Sequence, residues 1–345
     1  MMTLGIETSC DETSAAIVTD GTKVLSCIIA SSKDAFEQSG GVIPEHAARE
    51  QIRAIQSVID QSFTQAGVAP QNIGMIAVTR GPGLLGSLLV GTVTARTLAT
   101  LWKKPLIGVH HTLGHLSSTW LDAIDEPRFP MLTLSASGGH TELWRRTDHL
   151  KGELLGSTRD DAAGEAFDKG ASMLGLPYPG GPSISRAGEA GNPQAFPFPQ
   201  PLRNDATLDF SYSGLKTALK YLLRDMADPA AHLADLAASY EFAICRHLCA
   251  RIGQALTQYD DVKELHIVGG VSANHRLRSM LTEQCEGRIV RFPTKLLYCT
   301  DNAAMIASAG TFLQEHTPQP HDFVTAASLP AMSAFSQTRE EAPRA

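Results

Sequence analysis

A chain of 345 residues, 43% hydrophobic and 19% charged, has the composition of a soluble globular protein with room for two domains and a substantial core. Its net charge of −7 excludes a generic nucleic-acid coat, which would be basic throughout; only local patches remain, at Lys103–Lys104, Arg145–Arg146, Arg276 with Arg278, or Arg288, Arg291 and Lys295. No apolar run reaches the ~18–20 residues of a membrane span, and the start MMTLGIETSC has neither the basic nor the apolar part of a secretory leader, so the expectation is a cytoplasmic protein with no membrane partner.

In chain order, TLGIETSC and TSAAIVTDGTKVLSCIIAS read as strands broken by polar turns. EHAAREQIRAIQSVIDQSFTQAG is an amphipathic helix, with Ile52, Ile55, Ile59 and Phe63 at spacings of three and four and Gly67 as a stop. IGMIAVTRGPGLLGS is a buried strand entering a Gly-rich turn. The helix after it, over 86–101, carries small residues that form a face suited to close helix packing. KPLIGVHH is a short strand whose end holds the histidines. FPMLTLSASGGHTELWRR then repeats the strand–turn–strand shape of the N-terminus, which suggests a duplicated lobe. A long helix over 231–256 follows, then the strand–turn–helix ELHIVGGVSANHRLRSML and a last helix in CTDNAAMIASAGTFLQE. Segment 177–215 is rich in Pro and Gly, and a loop this long points to function. The tail beyond about Pro318 is polar and reads as frayed. Six scattered cysteines without a CxxC pair read as thiols, Cys245 and Cys249 as buried ones.

The histidines of GVHHTLGHL carry the sharpest chemistry. His111 and His115 stand four apart, on one face of a helix, where both can grip one ion. A carboxylate at another helix start, Asp301, would complete a facial set with open positions, although an acid there also suits a plain N-cap. His110 reads as a packed or supporting residue. A zinc protease needs His-Glu-x-x-His, and Thr112, Leu113 and Gly114 stand between these histidines instead. The turns at Thr8–Ser9 and Ser137–Gly139, with small or hydroxyl tips, let a phosphate approach backbone amides, and Gly269–Gly270 ends a strand before a helix. A lone Gly-Gly is an ordinary tight turn; two such hairpins plus that turn, in this order, are far more specific.

Taken together, GIETSCDETS, GGVIPE, GPGLLGSLLVG, VHHTLGHL, SGGHTEL, DDAAGEAFDK, YPGGP, FSYSGLKTA, GGVSAN and CTDNAAM stand in the order seen in the TsaD family, formerly called glycoprotease-like, and the resemblance covers residues 3 to about 315. It implies an α/β fold of the actin/sugar-kinase/Hsp70 ATPase type, with two duplicated lobes around a nucleotide cleft. The lobes would span 1–128 and 129–300, the second holding the 177–215 insertion; 301–316 would be a closing helix and 317–345 a flexible tail. The activity implied is an acyltransferase, moving threonylcarbamoyl from threonylcarbamoyl-AMP to N6 of adenine 37 in tRNAs that read A-starting codons, with release of AMP. Its metal, iron by preference though zinc is compatible, would sit on His111, His115 and Asp301. The adenylate would lie along Ser135, Ala136, Ser137, Gly138 and Gly139, with Asp168 and Gly181 on the ribose side and Asn274 facing base and ribose. Asp11 and Glu12 would lie near the phosphates. Implied partners are an inactive paralogue, paired through the 86–101 helix, and a small ATPase.

Three positions depart from the family pattern: Leu113 replaces a usual Glu, Ser135-Ala136 replaces Leu-Val, and Ser185 stands where many members carry Asp. Two rivals share the phosphate hairpins: a sugar or acetate kinase, which has no use for the His pair, and a non-catalytic scaffold paralogue, which would be expected to lose it.

Overall fold

A computed structural model describes residues 1–31, 43–285, 287–314 and 323–331. Gly40, Gly41 and Val42 of the GGVIPE motif, residues 315–316 of the expected closing helix, and 317–322 and 332–345 of the expected tail lie outside the described residues. The chain divides into two compact units, one of Met1–Pro127, Asp148–Gly152 and Pro293–Ala345, the other of Arg128–Thr147 and Glu153–Phe292.

The first unit is built on β1 (Met2–Glu7), β2 (Glu12–Thr19), β3 (Lys23–Ser31), β4 (Met75–Gly81) and β5 (Leu106–His110), in the order β3-β2-β1-β4-β5. β1 is antiparallel to β2 and parallel to β4, and β4 is parallel to β5. Side chains alternate along these strands, so each supplies both faces of the sheet. Leu4, Ile6, Ile17, Ile76 and Val78 pack with Ile55, Val58 and Ile59 of α1 (Pro44–Ala66) and Ala95 and Ala99 of α2 (Leu85–Trp102). Ala16, Val18, Met75, Ala77, Ile107 and Val109 pack instead with α3 (His111–Ser117) and α9 (Ala303–Gln314).

The outward face of α2 differs from the sequence expectation. Its small residues Ser87, Gly91, Ala95 and Ala99 are buried toward the sheet, and a Cβ on Gly91 would meet Thr8 Oγ1 at 2.4 Å. What faces outward is Leu85, Leu89 and Val93, an i, i+4, i+8 stripe. Small residues were needed inside because the helix lies close on β4 and on Thr8, just past the end of β1.

The second unit repeats the topology, with β6 (Met131–Ala136), β7 (Thr141–Asp148), β8 (Lys151–Ser157), β9 (Glu264–Val268) and β10 (Ile289–Arg291) in the order β10-β9-β6-β7-β8. Its first strand is again antiparallel to the next and parallel to the fourth, so the duplication suggested by pattern is present in the strand order. One core joins this sheet to α4 (Ala163–Met173), α5 (Gly180–Ala187), α6 (Ser213–Asp225), α7 (Leu233–Gln258) and α8 (His275–Gln284). Segment 177–215 contains α5, and its Phe198, Leu208, Phe210 and Tyr212 enter that core. Asp160 accepts from the amide of Tyr212 and the hydroxyls of Ser211 and Ser213, fastening the end of the segment. Cys245 and Cys249 are buried thiols. Among the described residues, no helix is long and apolar enough to cross a membrane. In the expected tail, Phe323 is buried against Gly108, and the amide of Ala326 donates to Arg80.

Candidate metal centre and glycine-lined turns

In the first unit, β5 passes directly into α3, and His110 caps that helix by accepting from the Thr112 amide. His111 and His115 therefore fall on consecutive turns, with ring centroids 4.7 Å apart and planes at 85°. Leu113 between them is buried in the core, so no acid faces the site from this helix. Gly114 lies against α9: a Cβ there would meet Ile306 Cδ1 at 2.6 Å. That close approach brings the start of α9 to the histidines. Asn302 caps α9 through the Met305 amide, which leaves Asp301 for another role. Its Oδ1 lies 3.1 Å from His115 Nε2 and 3.6 Å from His111 Nε2. One ligand atom from each of the three residues lies within 4.8 Å of the others.

The residues present fit a divalent first-row metal. His115 is buried, and neither ring nitrogen has a hydrogen-bond partner among the described residues, although Nε2 lies 3.1 Å from Asp301 Oδ1. Leaving such atoms unsatisfied costs about 1–3 kcal/mol, which coordination would offset. His111 has the complementary arrangement. Its Nδ1 lies 3.3 Å from Glu7 Oε2 and 3.2 Å from Ser9 Oγ, so Nε2 is the nitrogen presented to the cluster. Burial alone would lower the pKa of this imidazole; the carboxylates of Asp301, Glu7 and Glu12 override that and raise it to about 9. The site's surroundings thus favour a positive charge. Burial and the carboxylates of Asp11, Asp301 and Glu12 push the Cys10 thiol far up, so it offers no competing thiolate.

Sequence reasoning did not single out Glu7 or Gln51. Glu7 is a buried strand acid that also accepts from Thr79 Oγ1 and the Ser9 amide. Gln51, from α1, donates to the carbonyls of Thr8, Cys10 and Glu12 and so shapes the turn that carries Asp11 and Glu12, both buried. A carboxylate ending a mostly apolar strand was the available signal for Glu7; nothing local marks Gln51.

In the second unit, Ser135 and Ala136 end β6 in the core, and Ser137–Gly139 form the exposed turn beyond. Ser137 closes this turn: its amide donates to His140 O, and its Oγ accepts from the His140 amide. The amides of Gly138 and Gly139 have no partner among the described residues, and a Cβ on either would meet open space. Two bare amides on an open turn can take an anion. Gly269 has φ +84°, and a Cβ there would strike Ala136 O at 2.4 Å, so the Gly269–Gly270 turn lies against the end of β6. Asp168 accepts from the Gly180 amide at 2.7 Å, which sets it beside Gly181 at the start of α5. Gly181 and Gly270 also border open space.

Asn274 is more committed than the sequence suggests. Its Oδ1 caps α8 by accepting from the Leu277 amide at 2.8 Å, and its Nδ2 donates to Glu241 Oε1 at 2.7 Å and to Ser185 Oγ at 3.2 Å.

A five-stranded sheet of this order, occurring twice in one chain, defines an ATPase-fold protein of the actin, Hsp70 and sugar-kinase type. Solved structures agree on the fold: HypF of T. kodakarensis aligns with a TM-score of 0.61 at 14% identity, over 93% of this chain and 48% of that one. The Acidaminococcus fermentans (R)-2-hydroxyglutaryl-CoA dehydratase component A aligns with a TM-score of 0.52 at 13% identity, over 90% of this chain and 98% of that one. The sequence comparisons narrow the class. The family model TsaD, described as tRNA N6-adenosine threonylcarbamoyltransferase, matches residues 23–308. The protein of that name from Anaeromyxobacter dehalogenans (strain 2CP-C) is 48% identical over 312 residues, 89% of this chain and 92% of its own length. The one from Bacillus subtilis (strain 168) is 44% identical over 320 residues, 91% of each. The chain belongs to the TsaD family.

Proposed function

We propose that this chain transfers threonylcarbamoyl from threonylcarbamoyl-AMP to N6 of adenine 37 in tRNAs that read A-starting codons. The family makes it an acyltransferase, a tRNA N6-adenosine threonylcarbamoyltransferase. The observation that carries the metal-dependent form of this reading is the convergence of His111, His115 and Asp301. These three would hold one divalent ion, Fe2+ by preference and Zn2+ as the alternative. When bound, that ion supplies a Lewis acid and a counter-charge for phosphate. The amides of Gly138 and Gly139 would take the adenylate phosphate, with Asp168 and Gly181 on the ribose side. The C–N6 bond forms as the acyl–phosphate C–O bond breaks, AMP leaves with the electron pair, and the proton lost from N6 passes to solvent. Adenine N6 is a poor nucleophile, so fixed positioning carries much of the rate.

Binding of tRNA by an acidic chain needs an uncompensated basic surface; ion pairs and burial count against several of the candidates, while Arg288 is exposed and forms no ion pair among the described residues. Arg145 pairs with Asp261, Arg276 with Glu241, Arg291 with Glu264 and Lys295 with Asp122, while Arg146 is buried. Arg96, Lys103 and Lys104 line a concavity of about 690 Å³ at the end of α2, and none forms an ion pair among the described residues. This surface is the proposed seat for RNA phosphates. The inactive paralogue would cover Leu85, Leu89 and Val93, with the small ATPase joining that complex, all in the cytoplasm.

The test is reconstitution with the partners, threonine, bicarbonate, ATP and the adenylate-forming enzyme, followed by mass spectrometry of digested tRNA. Threonylcarbamoyladenosine should appear at position 37 and be absent from tRNA with another base there. Its absence with every partner present refutes the reading.

A further inference from the structure

Glu241 is a buried carboxylate in the middle of α7, and donors from three directions converge on it. Ser185 Oγ, from α5, donates to Oε1 at 2.5 Å. Asn274 Nδ2, at the start of α8, donates to the same oxygen at 2.7 Å, and Arg276 Nε donates to Oε2 at 2.8 Å. No other acid is among these contacts. One carboxyl group thus faces one guanidinium, and every polar atom of the Asn274 side chain is fixed through it or through the α8 cap.

This arrangement limits what position 185 can hold. An Asp at 185 would place a carboxylate where Ser185 Oγ now touches Glu241. Two carboxylates at hydrogen-bond distance cannot both stay ionised, and one would be forced to protonate or to leave. The site has room for one acid, and in this chain it is supplied from α7 and not from α5.

We propose that Glu241 is a positioning residue for the adenylate: it orients Asn274 and Ser185, and positions 185 and 241 form an exchangeable pair that carries one carboxylate between them. The proposal rests on the assignment of the adenylate to the second unit. It makes a specific demand on chemistry. Ser185→Asp alone puts two acids together; Glu241→Gln alone leaves Arg276 without its counter-charge and turns an amide toward donors. Combining the two substitutions restores one acid. The new carboxylate on α5 then accepts from Asn274 Nδ2 and from the side-chain amide now on α7, and the oxygen of that amide accepts from Arg276 Nε.

The experiment is calorimetric titration of AMP into the full chain and the three variants, with thermal melting of each, then KM and kcat for the adenylate donor in the reconstituted complex. Each single variant should bind AMP about tenfold more weakly or worse, and the double variant should return to within about threefold of the parent. KM should follow the same pattern while kcat at saturation stays near parental. If the two single effects simply add in the double variant, the exchangeable pair is refuted. If the double variant regains its melting temperature but not its AMP affinity, Glu241 is only structural and the positioning role is refuted. A parent that binds no AMP, with or without metal, refutes the assignment of the adenylate itself, an outcome separate from either.

Discussion

Glu7→Gln tests how the candidate metal centre is held, because Glu7 is the charged one of the two side chains that face His111 Nδ1. The Ser9 amide donates to Oε1, so the oxygen of a Gln side chain must stay there. The Gln amide then replaces Oε2, which faces the Thr79 hydroxyl and His111 Nδ1. The hydroxyl can rotate and accept. If His111 Nδ1 accepts from that amide, the ring proton moves to Nε2, the nitrogen facing Asp301, and only Ser9 Oγ, 3.2 Å from Nδ1, is left to hold the other tautomer. A protonated Nε2 has no lone pair to offer a metal. Loss of such an orienting partner typically costs 10–100-fold in metal affinity, or about 1.4–2.8 kcal/mol. Gln conserves volume, so the fold should persist. The assay is chelator competition at fixed pH, with elemental analysis of purified protein and melting curves alongside. Thr79→Val is the control, since it removes a donor to Glu7 without forcing the tautomer, and should bind metal near the parental level. A folded Glu7→Gln protein with parental metal affinity would refute the tautomer argument.

Three further outcomes follow from other parts of the molecule. Reversing charge with Lys103→Glu and Lys104→Glu should weaken tRNA binding by the reconstituted complex and lower its salt slope by ~0.7–0.9 per lost phosphate contact; an unchanged slope in filter binding counts against the patch. Leu89→Asp should leave the chain folded but abolish its complex with the paralogue, and co-purification at parental yield would remove the stripe from consideration. His247 is buried, and its Nε2 accepts from the Ser211 amide; burial, then Arg251 and Arg246, lower its pKa to about 4. Because the unfolded imidazole titrates near 6.5, the unfolded chain binds the proton more readily, and stability present above pH 6.5 is lost as pH falls toward 4, by up to about 3 kcal/mol. Urea unfolding of His247→Gln should lack this component, and parallel pH profiles for parent and variant would contradict it.

What the sequence made legible was whatever depends on local spacing. The His111–His115 pair, the strand-to-helix junction before it and the repeated strand–turn–strand all follow from periodicities of two and 3.6. What it hid depends on which neighbour arrives from far along the chain. The helix over 86–101 has both small and large apolar residues, and only the closeness of Thr8, just past β1, decides that Gly91 faces inward. Asp301 and Asn302 are both good capping residues, and only the structure assigns the cap to Asn302. Each basic pair reads as a possible RNA contact until its acid partner is known, and Arg276 finds Glu241 thirty-five positions away. The Pro/Gly-rich stretch 177–215 has little periodicity because its buried residues enter the core one at a time from extended chain, not along one face of a helix.

The two units share a topology but have opposite electrostatic characters at corresponding turns. After β1 the turn carries Asp11 and Glu12, both buried, with Glu7 before them and Asp301 close enough to lift the His111 imidazole. After β6 the corresponding turn is Ser137–Gly139, with no acid and two open amides. The carboxylates of Asp301, Glu7 and Glu12 raise the pKa of the His111 imidazole, so the surroundings of the first turn favour a cation. The second has no such carboxylates and can receive an anion directly. Strand order alone cannot produce that asymmetry, since it is the same in both units. It comes from the few side chains at the strand ends, and replacing Asp301 by Asn should weaken the first turn's preference for a cation without touching the second.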